Sequence, residues 1–157
     1  MLVTLVTPEN REDHLGEMDE IFKLRHEIFN KWLGWGLPDY NGREYDKYDN
    51  MSYHMIATDD DNEVVGTWRM MPTTVPYMTA EIFPELLEEI GPVSAPEIWD
   101  LSRFAISRTR FSNDKEAQQR LIASLASAIY EFGMMNGVTE YLSVQNSFIT
   151  PLANQML

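Results

Sequence analysis

The feature that most constrains the fold of this chain is a long amphipathic segment with a strand-like apolar run on each side. Its apolar residues recur at helical spacing: Ala117, Leu121, Ile122, Leu125, Ile129 and Phe132. Ser112, Asn113 or Asp114 can cap the start of this helix, and Asn136-Gly137 predicts its end. Because one face of the helix is apolar, it has to pack against a core.

The other segments alternate between strand and helix patterns. Residues 2–6, 52–58, 63–71, 97–106 and 140–144 are strand-like, and the second and third of these runs flank the turn DDDNE. MDEIFKLRHEIFNKW and residues 80–90 predict helices, residues 34–50 predict a long loop, and SFITPLANQML starts another helical segment. The order β-α-β-β-α-β-α-β-α indicates an α/β (α+β) fold with a mixed sheet covered by helices. No linker or repeat divides it, so we expect a single domain over residues 1–157.

Composition limits the classes of protein to which the chain can belong. With 157 residues, 44% of them apolar, the chain can bury a core, which excludes disorder as its main state. Because it has no cysteine, it has no disulfide, zinc–thiolate site or thiol nucleophile. Its start lacks a signal-peptide pattern and no apolar run approaches the roughly 18 residues of a membrane span, so we expect a cytoplasmic protein with no span.

Charge is distributed unevenly along the chain. The formal net charge of −13 argues against a nucleic-acid partner, because binding to phosphates needs a broad basic surface. Between Arg103 and Arg120, however, five basic residues stand against two acidic ones, a local balance of +3. This excess suggests that an anionic partner binds at one place, although solvated surface arginines would give the same pattern.

Three arginines lie in apolar surroundings: Arg25 in the first helix, Arg69 in a strand and Arg103 in the strand at 97–106. A buried guanidinium needs a carboxylate partner. The candidate carboxylates are Glu44, Asp46, Asp49 and Asp100. Two interpretations stay open on the residues alone: a cluster that positions a zwitterionic substrate, or a structural network of ion pairs that ties the loop to the sheet.

Other familiar sites are not indicated. His14, His26 and His54 lack metal-ligand spacing, so no metal is expected, and no nucleophile elbow, P-loop or dinucleotide fingerprint occurs. The ten methionines suit core packing and would also suit a pocket for a flexible acyl chain. We expect Trp32 to pack in the core, and Trp35, between two glycines, to form a wall of a substrate site.

Four segments together resemble one enzyme family. In chain order they read LRHEIFNKWLGW, GREYDKYDN, VVGTWRMMPTTVPYM and IWDLSRFAIS, and they cover most of residues 20–108. In order and spacing they are similar to the acyl-homoserine-lactone synthases, or autoinducer synthases. The resemblance implies an N-acetyltransferase-like mixed sheet with helices on both faces, in which two parallel neighbours, the strand with Asp100 and the strand at 140–144, splay apart. The family usually continues with two further strands, so we expect a C-terminally truncated member.

The resemblance also implies a reaction. A synthase of this family transfers an acyl chain from acyl carrier protein to the amine of S-adenosylmethionine, then closes the lactone and releases methylthioadenosine, as part of quorum sensing. S-Adenosylmethionine is thus a substrate, and no cofactor is expected. The alternatives are an acetyl-CoA-dependent N-acetyltransferase, which the glycine-free turn SRTRFSND disfavours, and a non-catalytic shortened synthase that acts as a binding domain.

The residues of the site are assigned on this basis. We expect catalysis by Asp100, Arg103 and Asp46. We expect substrate binding by Arg25, Phe29, Trp35, Asp49, Arg69, Phe104 and Leu142. The +3 balance suggests that the carrier docks on Arg108, Arg110, Lys115 and Arg120.

Two of these positions differ from residues that other members of the family carry. Asp100 stands where the family more often has glutamate, so the carboxylate is kept but reaches about one methylene less far. Leu142 lies where members that accept a 3-oxo chain tend to carry threonine, which predicts an acyl chain that is not oxidised at the β-carbon.

Overall fold

The computed structural model describes residues 1–144, and its elements follow the predicted order. The strands are β1 (Leu2–Val6), β2 (Tyr53–Thr58), β3 (Val64–Pro72), β4 (Ile98–Ile106) and β5 (Glu140–Ser143). The helices are α1 (Leu15–Arg25), α2 (Met78–Ile82) and α3 (Lys115–Asn136), with a π-helical segment (His26–Trp32) after α1 and 3-10 turns at Arg11–His14 and Pro84–Leu87. The helical segment predicted for the tail lies outside the described residues, and the expected C-terminal truncation stays a prediction.

The five strands form one mixed sheet in the order β1-β2-β3-β4-β5. Neighbours from β1 to β4 are antiparallel, whereas β4 and β5 are parallel, paired from Ile98↔Glu140 to Leu101↔Ser143. The predicted parallel pairing is therefore confirmed. Strand β4 continues to Ile106, beyond the last paired residue of β5. The predicted splay falls largely on the chain after residue 144, outside the described residues.

Helices cover both faces of the sheet, as predicted. Successive strand residues point to opposite faces, and β2 shows the consequence: Met55 and Ala57 pack in the core under α3, whereas Ile56 packs with α1. The apolar stripe of α3 is buried as the spacing predicts, at Leu121, Ile122, Leu125, Ile129 and Phe132.

The ends of α3 also follow the local sequence. Asp114 caps the helix, since its carboxylate accepts a hydrogen bond from the Ala117 N–H at 2.8 Å. Gly137 ends it in the left-handed conformation at φ 71°. Although α3 is long, no helix within residues 1–144 is both long and apolar enough to cross a membrane.

The helix predicted at residues 80–90 is wrong in extent. The structure has the short helix α2, an irregular Phe83 at φ −129° and ψ 50°, and a 3-10 turn from Pro84. The cause is Pro84, which has no N–H to donate and disfavours the helical conformation of the residue before it.

The prediction that Trp32 packs in the core is also wrong, because its side chain is 56% exposed. It lies at the end of the π-helical segment, whose i→i+5 hydrogen bonds add residues to each turn. The apolar spacing of a regular α-helix therefore no longer predicts which side chains face the sheet.

Candidate active site

The long loop between the π-helical segment and β2 carries three carboxylates into the structure. Its backbone is tied to α1, since the Glu44 N–H donates to the Phe22 carbonyl at 3.0 Å. The Asp46 side chain accepts from the Tyr48 N–H at 2.9 Å, and Asp49 Oδ2 accepts from the Asp46 N–H at 2.7 Å. These local bonds hold a short turn. Glu44, Asp46 and Asp49 are thereby presented toward the sheet.

Arg25, at the end of α1, is fully buried between two of these carboxylates. Its Nε donates to Glu44 Oε2 at 2.6 Å, and its two terminal nitrogens bind Asp49 in a bidentate pair at 2.7 and 3.1 Å. Burial alone would lower the pKa of Arg25, but Asp49 and Glu44 outweigh it, and the net shift is upward. The charge of Arg25 is therefore permanent.

Arg69, on β3, extends the same network across the sheet. Its Nη1 donates to Asp46 Oδ1 at 2.6 Å and to Asp49 Oδ1 at 3.1 Å, while its Nε donates to Ser102 Oγ at 3.0 Å. Burial would raise the pKa of Asp49, yet the adjacent charges of Arg25 and Arg69 hold it well below its usual range. Asp49 is thus an anion that joins two cations.

Arg103, on β4, completes the network. Its Nη2 lies 3.1 Å from Glu44 Oε1 and 3.0 Å from Asp46 Oδ2. Arg25, Asp46, Asp49, Arg69 and Arg103 therefore meet in one network of ion pairs.

A β-bulge directs Arg103 to this side of the sheet. Thr67 pairs with Ala105, but Arg69 pairs with Ser102, so β4 has one residue more than β3 between these pairs. Arg103 adopts φ 57°, in the left-handed region that costs a non-glycine residue about 1–2 kcal/mol. The ion pairs of Arg103 with Glu44 and Asp46 offset this strain.

Taken together, the network holds three guanidinium groups and three loop carboxylates, Glu44, Asp46 and Asp49, and is locally neutral. Among the residues that the structure describes, two of the arginine nitrogens have only a weak acceptor. Arg69 Nη2 and Arg103 Nη1 lie 3.6 and 3.0 Å from the thioether sulfur of Met78. Sulfur is a poor acceptor, so these N–H groups can bind an incoming anion more strongly than they bind Met78.

Asp100 lies near the network on β4 but outside its ion pairs. Its side chain is fully buried, and Oδ1 accepts a hydrogen bond from the Thr79 hydroxyl. Burial raises the pKa of Asp100, whereas the Thr79 hydrogen bond and the charge of Arg69 oppose the rise. A carboxylate in such surroundings is a stronger base than an exposed one.

Aromatic residues border the network on one side. Phe29 is buried in the π-helical segment, its ring stacks on Trp35 with centroids 5.0 Å apart, and the guanidinium of Arg103 lies 5.7 Å from its centroid. Trp35 is partly exposed, and the glycines on both sides have positive φ. Phe29 and Trp35 therefore lie beside the charged network, and their roles in substrate binding stay predictions.

Leu142 and Phe104 lie on opposite faces of the sheet. Leu142 is the β5 partner of Asp100 and packs against the apolar cluster that contains Met78. Phe104 instead packs against Trp68, at 4.8 Å between ring centroids, in the core under α3. The structure thus brings Leu142 to the site and does not bring Phe104 to the charged network, because the bulge turns Arg103 to the face of the network and Phe104 to the face under α3.

The basic segment does not form an unopposed positive patch. Arg110 pairs with Asp59 and Asp61 of the β2–β3 turn, and Arg120 pairs with Glu116 at 2.7 Å. Arg108 lies over the Trp32 ring at 3.7 Å from its centroid. The +3 balance counted along the chain is therefore reduced in space, chiefly because the turn DDDNE folds back on Arg110.

Sequence reasoning missed some members of the site. Glu44 was only a candidate partner, yet it contacts both Arg25 and Arg103. Thr79 carried no chemical signal, and Met78 was only one of ten methionines that suit a core or an acyl pocket, since the contacts of both depend on neighbours that lie far away in the sequence. In the described part of the chain, no group of three or more histidine or acidic side chains is arranged to hold a metal ion.

Comparisons with known proteins agree on one family. The sequence profile described as Autoinducer synthase matches residues 9–153. An acyl-homoserine-lactone synthase from Aliivibrio fischeri is 37% identical over 134 residues, which span 85% of this chain and 69% of that protein. An isovaleryl-homoserine lactone synthase from Bradyrhizobium diazoefficiens is 30% identical over 96% of this chain and 66% of its own length.

Solved structures show the same similarity. The CoA-dependent acyl-homoserine lactone synthase BjaI, determined with SAM and isopentyl-CoA, superposes with a TM-score of 0.83 at 29% identity, over 98% of this chain and 71% of that one. The synthase LasI superposes with a TM-score of 0.82 at 28% identity, over 98% of this chain and 76% of that one. The mixed sheet described above is thus the sheet of these acyltransferases.

Proposed function

The chain belongs to the autoinducer synthase family of acyl-homoserine-lactone synthases, and from this premise we propose that it acylates S-adenosylmethionine with a chain delivered by acyl carrier protein. The observation that carries the proposal is the buried, neutral network of three arginines and three carboxylates, with arginine donors left to the Met78 thioether. If the network served stability alone, we would expect these charged N–H groups to bind a stronger acceptor than a thioether sulfur.

S-Adenosylmethionine is a zwitterion with an additional sulfonium charge. Its carboxylate matches the Arg69 and Arg103 N–H groups that face Met78, since charge-assisted hydrogen bonds are about twice as strong as neutral ones. Its cationic groups match Asp46, which is the most exposed of the three loop carboxylates. Phe29 and Trp35 supply a flat aromatic surface beside this pocket.

Asp100 is the proposed base for the first step. The substrate amine, with an ordinary pKa near 8, attacks the thioester carbonyl carbon in its neutral form and gives up one proton, directly or through water, to Asp100. The C–N bond forms, the C–S bond breaks, and the proton passes to the leaving thiolate. Because about a tenth of such an amine is already neutral at pH 7, a moderate base suffices.

Lactone formation follows within the acylated substrate. The carboxylate oxygen attacks the γ-carbon, a C–O bond forms, and the bond from that carbon to the sulfonium breaks, which releases methylthioadenosine. No proton is transferred in this step, and the electron pair leaves with sulfur. Arg69 and Arg103 must hold the carboxylate loosely enough to attack, and a bidentate grip on both oxygens would slow the step.

The acyl chain is proposed to be one that lacks a 3-oxo group. Leu142, paired with Asp100, packs in a cluster that includes Met71, Tyr77 and Met78. Such a wall is apolar and, at Leu142, offers no hydroxyl to a 3-oxo oxygen. A thioester panel in which the 3-oxo donor has the highest kcat/KM would contradict this specificity.

The choice of acyl carrier protein over coenzyme A is supported by the start of α3. Enzymes that hold pyrophosphate at a helix start need free backbone N–H groups there. Here the Asp114 carboxylate occupies the Ala117 N–H, and Glu116 adds a second negative charge. For docking of an acidic carrier, Arg108 and Lys115 remain the main residues of the basic segment, since Arg110 and Arg120 are paired with carboxylates.

A donor comparison tests the proposal. The full chain is incubated with S-adenosylmethionine and either hexanoyl-carrier or hexanoyl-CoA, and both the lactone and methylthioadenosine are quantified by mass spectrometry. We expect both products, with a higher kcat/KM for the carrier. Acylation of S-adenosylmethionine without methylthioadenosine would indicate a simple N-acyltransferase, no turnover would indicate a binding domain, and faster turnover of hexanoyl-CoA would overturn the carrier assignment.

Charge reversals test the docking surface separately. Arg108→Glu and Lys115→Glu should each raise KM for the carrier severalfold at low salt and leave KM for S-adenosylmethionine unchanged. Lys23→Glu, on the exposed side of α1, is a control with the same change of net charge. If the control raises KM for the carrier equally, the effect comes from net charge and the docking surface is not at this segment.

A further inference from the structure

The two oxygens of the Asp100 carboxylate are in different surroundings. Oδ1 accepts a hydrogen bond from the Thr79 hydroxyl, whereas Oδ2 is buried and has no hydrogen-bond partner within residues 1–144. A buried acceptor without a partner destabilises the folded state, because it has lost its hydrogen bonds to water. A buried polar atom without a partner therefore calls for an explanation, and a functional role is one. For Oδ2, that role is to accept a proton, because its lone pairs are not used by another donor among the described residues.

Within residues 1–144, Thr79 is the residue that binds Asp100 through its side chain. In the sheet, the neighbours of Asp100 are Met71 on β3 and Leu142 on β5, both of which have apolar side chains. Thr79 is 4% exposed, and its backbone carbonyl accepts from the Phe83 N–H at 3.1 Å, which ties it into α2. The hydroxyl therefore comes from an anchored residue.

From this geometry we infer that Thr79 is a positioning residue: its hydroxyl binds Oδ1 and leaves Oδ2 of Asp100 as the oxygen that receives the substrate proton. The inference rests on the proposed role of Asp100 as base. It also explains how an aspartate serves where the resemblance leads one to expect glutamate, because a shorter side chain has fewer rotatable bonds and one hydrogen bond fixes its carboxylate.

The hydrogen bond also sets when Asp100 is ionised. Burial raises the pKa of Asp100, and the Thr79 hydroxyl and the charge of Arg69 lower it. Within residues 1–144, the Tyr77 hydroxyl also lies near Asp100; Tyr77 precedes α2, and its hydroxyl donates to the Val93 carbonyl. Loss of the Thr79 hydroxyl therefore raises the pKa of Asp100 further, and the basic form is reached only at higher pH.

The test compares Thr79→Val, which keeps the shape and removes the hydroxyl, with Thr79→Ser, which keeps the hydroxyl. The pH dependence of kcat/KM is measured for both donor and S-adenosylmethionine. The acid limb is the range in which kcat/KM falls as pH is lowered. For Thr79→Val we expect this limb to move up by about one pH unit, so that kcat/KM is roughly tenfold lower than that of the unmodified chain at acidic pH. For Thr79→Ser we expect a profile that overlays the unmodified chain. Thr74→Val, at an exposed position, is the matched control.

Three results decide the inference. An acid limb that stays in place in Thr79→Val, in protein that unfolds at the normal temperature, overturns it. If Thr79→Val does not fold, Thr79→Ala is compared with Thr79→Ser, and an unchanged limb in Thr79→Ala has the same meaning. Asp100→Asn distinguishes a failure of the proposed base from a failure of the role of Thr79. If Asp100→Asn retains full activity, Asp100 is not the base and the proposed function fails at that step. If Asp100→Asn is inactive but the acid limb of Thr79→Val is unshifted, only the role of Thr79 is refuted.

Discussion

Replacement of Asp49 by asparagine should destabilise the chain more than any surface change of the same kind. Asp49 Oδ1 accepts from Arg25 at 2.7 Å and from Arg69 at 3.1 Å, and Oδ2 accepts from Arg25 at 3.1 Å and from the Asp46 N–H at 2.7 Å. Asparagine preserves the shape but removes the charge. It also turns one acceptor into an N–H₂ donor that faces N–H groups.

The size of the effect follows from burial. Arg25 and Arg69 are fully buried and Asp49 is 2% exposed, so solvent does not replace the lost charge. Removal of one partner from a buried ion pair costs about 3–5 kcal/mol. Domains of this kind have a free energy of unfolding of about 5–15 kcal/mol. At about 3 °C per kcal/mol for a chain of this size, Tm should fall by roughly 10–15 °C.

The assay is thermal and urea unfolding at pH 7, with Asp61→Asn as the control. Asp61 also pairs with an arginine, Arg110, but its side chain is 75% exposed, so its loss should change the free energy of unfolding by less than about 0.5 kcal/mol. A loss below about 1 kcal/mol in Asp49→Asn, indistinguishable from the control, would refute the view that these buried charges depend on one another.

The difference in free energy of unfolding between Asp49→Asn and the unmodified chain should depend on pH, which provides a second check. The pKa of Asp49 is lowered in the folded state, although burial opposes the shift, because Arg25 and Arg69 favour its ionised form. The unfolded chain therefore binds this proton more readily. The stability contributed by Asp49 is fully present above about pH 4 and declines as pH falls through the lower, folded-state pKa. The difference between Asp49→Asn and the unmodified chain should shrink accordingly in acid.

Three further predictions concern single positions. Burial lowers the pKa of His54 to about 4. Since the unfolded residue titrates near 6.5, the free energy of unfolding should fall by about 3 kcal/mol as pH is lowered from 6.5 to 4. In His54→Gln, the free energy of unfolding measured by denaturation should change less over this pH range. Asp100→Asn should abolish turnover yet raise the free energy of unfolding by about 1 kcal/mol at pH 8, because a buried carboxylate with a raised pKa is costly when ionised; a less stable variant would contradict this. Gly133→Ala should cost about 1–3 kcal/mol, since the new methyl would lie 2.7 Å from the Tyr141 hydroxyl, whereas Gly16→Ala, with nothing within 4 Å, should stabilise α1 by up to about 1 kcal/mol.

Much of the fold could be predicted because the signals that specify it are local. The apolar stripe of α3, its Asp114 cap and its Gly137 end each depend on residues within a few positions of one another. Predictions failed where a local rule was broken by a neighbour along the chain. Pro84 divided the expected helix, and the π-helical segment turned Trp32 outward.

The candidate site separates what the sequence determines from what the tertiary structure determines. The sequence by itself determined which residue types are present: three arginines in apolar segments must find carboxylates, and the loop after α1 is the place that supplies them. The matched segments also determined the family. They did not determine which arginine meets which carboxylate, and Glu44, which bridges Arg25 and Arg103, was not assigned to the site.

Only the tertiary structure decided the directions and the partners. One extra residue in β4 turns Arg103 toward the loop and leaves Phe104 on the other face, and a shift of one residue exchanges the two faces of any strand. Arg103 meets Glu44 across 59 positions of the chain, and Arg110 meets Asp59 across 51, so a sum of charges along the sequence could describe neither pair. The physical reason is the short range of these forces: ion pairs and hydrogen bonds act over a few ångströms, and folding alone determines which distant residues come that close.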